Sequence, residues 1–235
     1  MHRRSKALAV SYPLFVAIGS ILMLAPMLYV GHLRRIPVLK IFLCCIGFTV
    51  GGAIGVRVMH FIENGNWDGR SFFGALFIAP PFALLLSVLL KLSFDDVSDM
   101  CPAAISAILA VLKYKCYLTG CCFGKVMHIN EIGEAVRFPS QLTEFFAAIV
   151  LMIIFLILAR TGFMKGSLYG LYMLIYGIVR FVLNLMRETT PFFLGMAAGN
   201  FWSVISVLCG VAWILIHHFR KNQNTQSIFI RRNAT

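Results

Sequence analysis

Apolar residues run along this chain in seven long stretches, at residues 10–30, 38–61, 72–90, 102–122, 140–158, 166–186 and 195–218. Each is close to the roughly 20 residues that an α-helix needs to cross a bilayer core. The connections are short and polar, and Pro37, Pro102, Pro139, Gly166 and Pro191 fall at their boundaries, where such residues start or stop helices. The pattern predicts an all-α fold, a polytopic membrane bundle of about seven transmembrane helices. Nothing marks a second domain, a low-complexity segment or an internal repeat. Residues 1–218 are therefore expected as one transmembrane domain and residues 219–235 as a basic, polar tail. The first stretch is long enough to span and lacks an A-x-A-like exit, so no removable signal peptide is expected.

Composition strengthens this reading. Of 235 residues, 60% are hydrophobic and 13% charged, against about 25% charged in an ordinary soluble domain. So few polar groups cannot cover a surface in water. The formal net charge of +12 would suggest nucleic acid in a soluble protein. Here the cations sit mostly between apolar runs and at the C-terminus, where they suit anionic lipid headgroups. A membrane partner is expected and nucleic acid is not.

Loop charge predicts orientation. With the N-terminus outside, the inner side holds Arg34, Arg35, Lys40, Lys91, Arg160, Lys165, Arg220, Lys221, Arg231 and Arg232, against Arg3, Arg4, Lys6, Arg70, Lys125, Arg137 and Arg187 outside. The larger inner set favours a multi-pass membrane protein with its N-terminus out and its C-terminus in. The acids Asp95, Asp96 and Asp99 carry little weight in this rule.

Four cations fall inside spans: Arg57, Lys113, Lys115 and Arg180. Ionisable groups there are costly and mark functional candidates. Glu63, Glu144 and Glu188 lie near helix ends, where at most they pair at the interface, so no deep carboxylate is expected to neutralise these cations. An anion from outside the chain, most simply a lipid phosphate, is the expected partner. Snorkelling of the long side chain to the headgroups explains Arg57 fairly well but Lys113, near mid-span, poorly. Residues 113–125, KYKCYLTGCCFGK, are the densest cluster of unusual residues. Gly120 and Gly124 allow a close backbone approach or an early helix end. Cys116, Cys121 and Cys122 are spaced C-x4-C-C with only His128 nearby, unlike the paired thiolates of structural zinc sites. They are expected as small packing residues, with no metal and no cofactor.

These segments resemble the bacterial prolipoprotein diacylglyceryl transferases, and more closely a cysteine-rich branch of them. GVRVMHF at residues 55–61 is similar to the family's G-x-R-x-G-Y, with Arg57 matching. LKYKCYLTGCCFGK resembles the signature G-R-I-G-N-F-x-N-G-E-x-x-G in a variant ending G-C-C-Y-G. FPSQLTE at residues 138–144 resembles h-P-S-Q-L-Y-E. LYMLIYGIVRFVLNLMRE resembles L-Y-x-x-x-Y-G-x-x-R-F-x-x-E-x-x-R. The likeness runs from about residue 12 to 210. It departs at Phe73, which stands where WDGRSFFGAL should carry the family's histidine, at Lys113 and Cys116 for the signature arginine and asparagine, and at Cys121 and Asn184 for two glutamates.

The resemblance implies seven helices, an outer N-terminus and a site in the outer half, where Tyr12, Arg57, Lys115, Gly120, Gly124, Ser140, Glu144 and Arg180 all fall. It implies transfer of a diacylglyceryl group from phosphatidylglycerol to the cysteine thiol of a lipoprotein precursor peptide, with glycerol phosphate leaving. Arg180, Lys113, Tyr176 and Tyr12 would be catalytic. Arg180, Arg57, Lys113, Lys115, Gly120, Gly124, Ser140, Gln141 and Glu144 would bind the lipid phosphate. With Phe73 unable to take a proton, His60, His128 and Glu144 are the substitute bases. The alternatives are a diverged lipid transferase with another acceptor, or a non-enzymatic protein that binds anionic lipid.

Overall fold

A computed structural model of the protein describes residues 12–131, 133–189, 191–193 and 195–233, the side chains of Tyr12, Pro191, Asn222 and residues 224–233 excepted. In lipid every backbone polar group needs a partner within the chain, and helices supply one residue by residue. The protein meets this with helices α1 (Tyr12–Leu33), α2 (Val38–Asn64), α3 (Phe72–Leu90), α4 (Phe94–Thr119), α5 (Ser140–Thr161), α6 (Leu168–Leu185) and α7 (Ala198–Asn233). All seven are long and apolar enough to cross a membrane. Two short antiparallel pairs, β1 (Val126–Ile129) with β2 (Ala135–Arg137) and β3 (Pro191–Phe193) with β4 (Met196–Ala197), lie at the end where α1 begins. The expected polar tail continues α7 as helix through residue 233.

The largest departure from the apolar pattern is α4. It starts at Phe94, eight residues before the expected start at Pro102, which lies inside the helix. Its first turn carries Asp95 and Asp96, which suit the positive end of a helix dipole. Hydropathy missed these residues because α4 is the central helix. Of its most apolar window 78% is buried, against 17% for α7. It packs against α1, α3, α5 and α6, and Ala103, Ala104, Ala107 and Ala110 let those neighbours come close. A helix that faces protein rather than lipid can carry polar groups where those neighbours supply partners. Small residues also set the α2–α3 contact, where a Cβ on Gly74 would lie 1.9 Å from the Gly55 carbonyl oxygen.

At the end away from the β pairs, the acids bind the helices together. Asp99, 2% exposed, accepts hydrogen bonds from Arg34 (2.8 Å) and from the backbone N–H groups of Gly166 (2.8 Å) and Leu168 (3.2 Å). Asp96 lies 3.8 Å from Arg34 and 3.6 Å from Lys165. One carboxylate thus ties the α1 terminus and the start of α6 to α4. Removing one member of a buried pair leaves an uncompensated charge and costs about 3–5 kcal/mol. Asp99→Ala is expected to lower unfolding free energy in mixed micelles by that amount, and a loss below about 1 kcal/mol would contradict the role given to Asp99.

Candidate active site

At the opposite end, the ends of five helices surround a cavity of about 500 Å³. Glu63 comes from the end of α2, Ser71, Phe72 and Phe73 from the start of α3, and Lys113, Lys115 and Cys116 from the end of α4. Arg180 and Asn184 come from the end of α6, with Arg187 and Glu188 just beyond it, and Gly199 from the start of α7. Below it, a smaller apolar crevice is lined by Ala147, Leu151, Val179 and Leu183, with Glu144, Tyr176 and Arg180.

The charges converge on one residue. Glu144, buried on the second turn of α5, pairs with Lys113 of α4 and Arg180 of α6, and its other oxygen lies 3.4 Å from Arg187. The expectation that the cations in the spans find no protein carboxylate is therefore corrected. Glu144 is near a helix end along the chain, but helix ends are where three helices meet here. One carboxylate against three cations still leaves excess positive charge in a low-dielectric pocket, where it attracts an anion strongly.

The expected site residues divide into three groups. Lys113, Lys115 and Arg180 line the cavity. Ser140, Gln141, Gly120 and Gly124 shape the loop beside it rather than facing it. Ser140 Oγ donates to the Cys122 carbonyl (2.7 Å) and Gln141 Nε2 to the Cys121 carbonyl (2.6 Å). Gly120 ends α4 in the left-handed region at φ 61°. Gly124 allows the chain to pass Phe138, where a Cβ would sit 2.4 Å from the carbonyl oxygen. Tyr176 is buried against Phe72, Phe73 and Tyr172 and borders the lower crevice. Arg57 is separate, exposed on α2 while its neighbour Val56 lines the cavity. This placement agrees with the snorkelling account and does not support a phosphate contact. Tyr12 opens α1, and its side chain lies outside the described residues.

The structure also limits the choice of base. Phe73 is buried among aromatic rings. His60, in the last turns of α2, bonds to Asn64 of the same helix and to Asn66 of the loop after it (both 3.1 Å), and His128 is exposed on β1. Glu144 is held as the counter-ion of three cations. Sequence reasoning passed over Arg187, although the last arginine of the tyrosine-containing motif falls on it. It also passed over Glu63, which faces the cavity and accepts a hydrogen bond from Ser71 Oγ (2.7 Å). Cys122 lies beside this charge. Hydrogen bonds to Cys116 and Cys121 first, and the Lys113 and Arg187 cations after them, pull its thiol below the usual range.

The shared carboxylate makes the cluster non-additive. Glu144→Gln leaves three cations together and is expected to destabilise the protein, but less so when Lys113→Met has already removed one of them. A coupling of about 0.5–3 kcal/mol is expected in a double-mutant cycle of unfolding free energies. Additivity within about 0.3 kcal/mol would show that the two groups do not interact.

A family model described as prolipoprotein diacylglyceryl transferase matches residues 7–216. A phosphatidylglycerol–prolipoprotein diacylglyceryl transferase from Francisella tularensis subsp. novicida (strain U112) is 29% identical over 209 residues, covering 79% of this chain and 77% of that protein. The protein of the same name from Francisella tularensis subsp. tularensis (strain FSC 198) is 30% identical over 209 residues, covering 77% of each. Seven helices able to span a membrane, a cavity at one end of the bundle lined by charged side chains, and a match over nearly the whole chain agree: this protein belongs to the prolipoprotein diacylglyceryl transferase family.

Proposed function

We propose that the protein transfers a diacylglyceryl group from phosphatidylglycerol to the cysteine thiol of a lipoprotein precursor in the bacterial inner membrane. The observation that carries this is the undercompensated cluster, in which Lys113, Arg180 and Arg187 share Glu144 at the edge of a cavity near the end of the bundle. A phosphodiester supplies the missing negative charge. Charge also grows on the departing glycerol phosphate as the C–O bond breaks, so these cations stabilise the transition state more than the ground state. A two-chain lipid cannot move its tails into water, so the acyl chains stay in the bilayer while the headgroup enters the cavity. Glu144 of α5 stands between Lys113 of α4 and Arg180 of α6. With the N-terminus outside, this end faces the outer leaflet, where a precursor peptide arrives after export.

The acceptor is a thiol, which is a few per cent ionised at neutral pH and needs less help than an alcohol. A lipid substrate with no enzyme nucleophile therefore remains compatible with Phe73 in place of a histidine.

The test is transfer to a lipobox peptide in phosphatidylglycerol micelles, read as the mass gain of the peptide. Wild-type protein is expected to modify the cysteine peptide and to leave a serine version unchanged. Arg180→Lys keeps the charge but loses the planar fork, and it should lose about 10- to 100-fold in rate, the worth of one or two charge-assisted hydrogen bonds. Arg180→Gln should lose more. Parent-level activity in both variants would remove the phosphate role of Arg180, and a folded wild type that leaves the peptide unmodified would overturn the proposal.

A further inference from the structure

Three thiols form a cluster that the transfer reaction described above does not use. The sulfur atoms of Cys116, Cys121 and Cys122 lie within 4.8 Å of one another, and Cys116 and Cys122 line the cavity. The C-x4-C-C spacing alone gave no reason to expect this. The backbone produces it with two reversals in three residues. Gly120 is left-handed at φ 61° and Cys122, a residue with a Cβ, is left-handed at φ 62°. The second reversal costs about 1–2 kcal/mol and persists because the loop is held from several sides. The Cys121 N–H donates to the Cys116 carbonyl (3.2 Å), and Gln141 and Ser140 donate to the carbonyls of Cys121 and Cys122. Thr119 Oγ1 donates to the Lys115 carbonyl (3.0 Å) and packs 3.4 Å from Cys121 Sγ. Preset sulfur positions on a braced loop are what a metal centre needs from its surroundings.

We infer that Cys116, Cys121 and Cys122 bind one thiophilic divalent ion, with Zn2+ the best fit, and leave its fourth position open to the cavity for the sulfur of the acceptor cysteine. Soft thiolates select such an ion over the hard cations. Tetrahedral Zn–S bonds of about 2.3 Å set the sulfurs about 3.8 Å apart, so the cluster needs to contract by no more than about 1 Å. Three thiolates around a dication carry one net negative charge, which the Lys113 and Arg187 cations beside Cys122 offset. A three-ligand centre with an open position is the arrangement of catalytic rather than structural zinc.

The role of the centre rests on the diacylglyceryl-transfer reading. As the acceptor sulfur joins the ion, its S–H proton leaves to water, because a coordinated thiol is deprotonated. The bound sulfur then forms a C–S bond to the glycerol carbon, whose C–O bond to phosphate breaks. The electron pair leaves on glycerol phosphate, beside Arg180. The ion does the work of the base that Phe73 cannot do.

Reduced, metal-free full-length protein in detergent micelles is titrated with Co2+. One equivalent is expected to give thiolate-to-cobalt charge-transfer absorption and tetrahedral d–d bands. Cys116→Ser and Cys121→Ser should weaken binding by at least about tenfold, and Cys209→Ser, on the exposed face of α7, should not. A lipobox peptide with cysteine should raise the charge-transfer band as a fourth thiolate joins, and the same peptide with alanine should not. Absence of the band with all thiols free would overturn the inference. So would a Cys116–Cys121 or Cys116–Cys122 disulfide in protein isolated without metal, or no response to the cysteine peptide. Full transfer activity in chelator-treated protein would remove the centre from the reaction and leave the proposed function standing. A normal cobalt response to peptide with no transfer from phosphatidylglycerol would overturn the proposed function and leave the centre in place.

Discussion

The functional end of this protein depends on one carboxylate shared by three cations. A lone cation in a span costs about 2.5–3.5 kcal/mol on insertion scales, and three close together repel one another as well. Glu144 draws Lys113, Arg180 and Arg187 from α4, α6 and the segment after α6 to one point. That point is also where a cavity opens. Full neutralisation would bury the charges as structure and leave nothing to attract a ligand. Removing the carboxylate would leave the cations without a reason to converge. Partial neutralisation holds the helices together and keeps an attraction for an anion.

The two ends of the bundle handle charge differently. Around Asp99 the carboxylate is buried, its partners are one arginine and two backbone N–H groups, and the pairing is nearly balanced. That end closes. The other end has cations in excess, a loop bent through two left-handed residues, and two short β pairs in place of tight turns. The segment after α6 and the loop after α4 are joined there by an isolated bridge between Gly124 and Arg187. That bridge ties the cysteine loop to one of the three cations around Glu144. The strained loop sits beside the charged cavity, where strain is usually retained for function.

The seven helices were legible because each apolar run matched the thickness of a bilayer. What hydropathy could not show was which helix stood at the centre. Asp95, Asp96 and Asp99 made the start of α4 look like a loop, although Asp96 and Asp99 have partners on neighbouring elements. Arg180 and Lys113 were legible as candidates because a cation in an apolar run is conspicuous. Their partner was not, because position along α5 gives depth but not the neighbours that meet at that depth. Depth in a span also does not say which face of the helix carries a residue, and Arg57 lies exposed on α2 beside Val56, which lines the cavity. The thiol cluster was hidden because spacing assumes a regular backbone, and Cys122 reaches Cys116 only through a conformation that its residue type rarely adopts.

The excess positive charge around Glu144 is proposed to receive a lipid phosphate. The direct measurement is a structure of the purified protein determined with phosphatidylglycerol. A phosphate is expected in the cavity, with oxygens about 2.7–2.9 Å from the guanidinium of Arg180. A headgroup bound elsewhere, with the Lys113, Arg180 and Arg187 cluster contacting only Glu144, would contradict it.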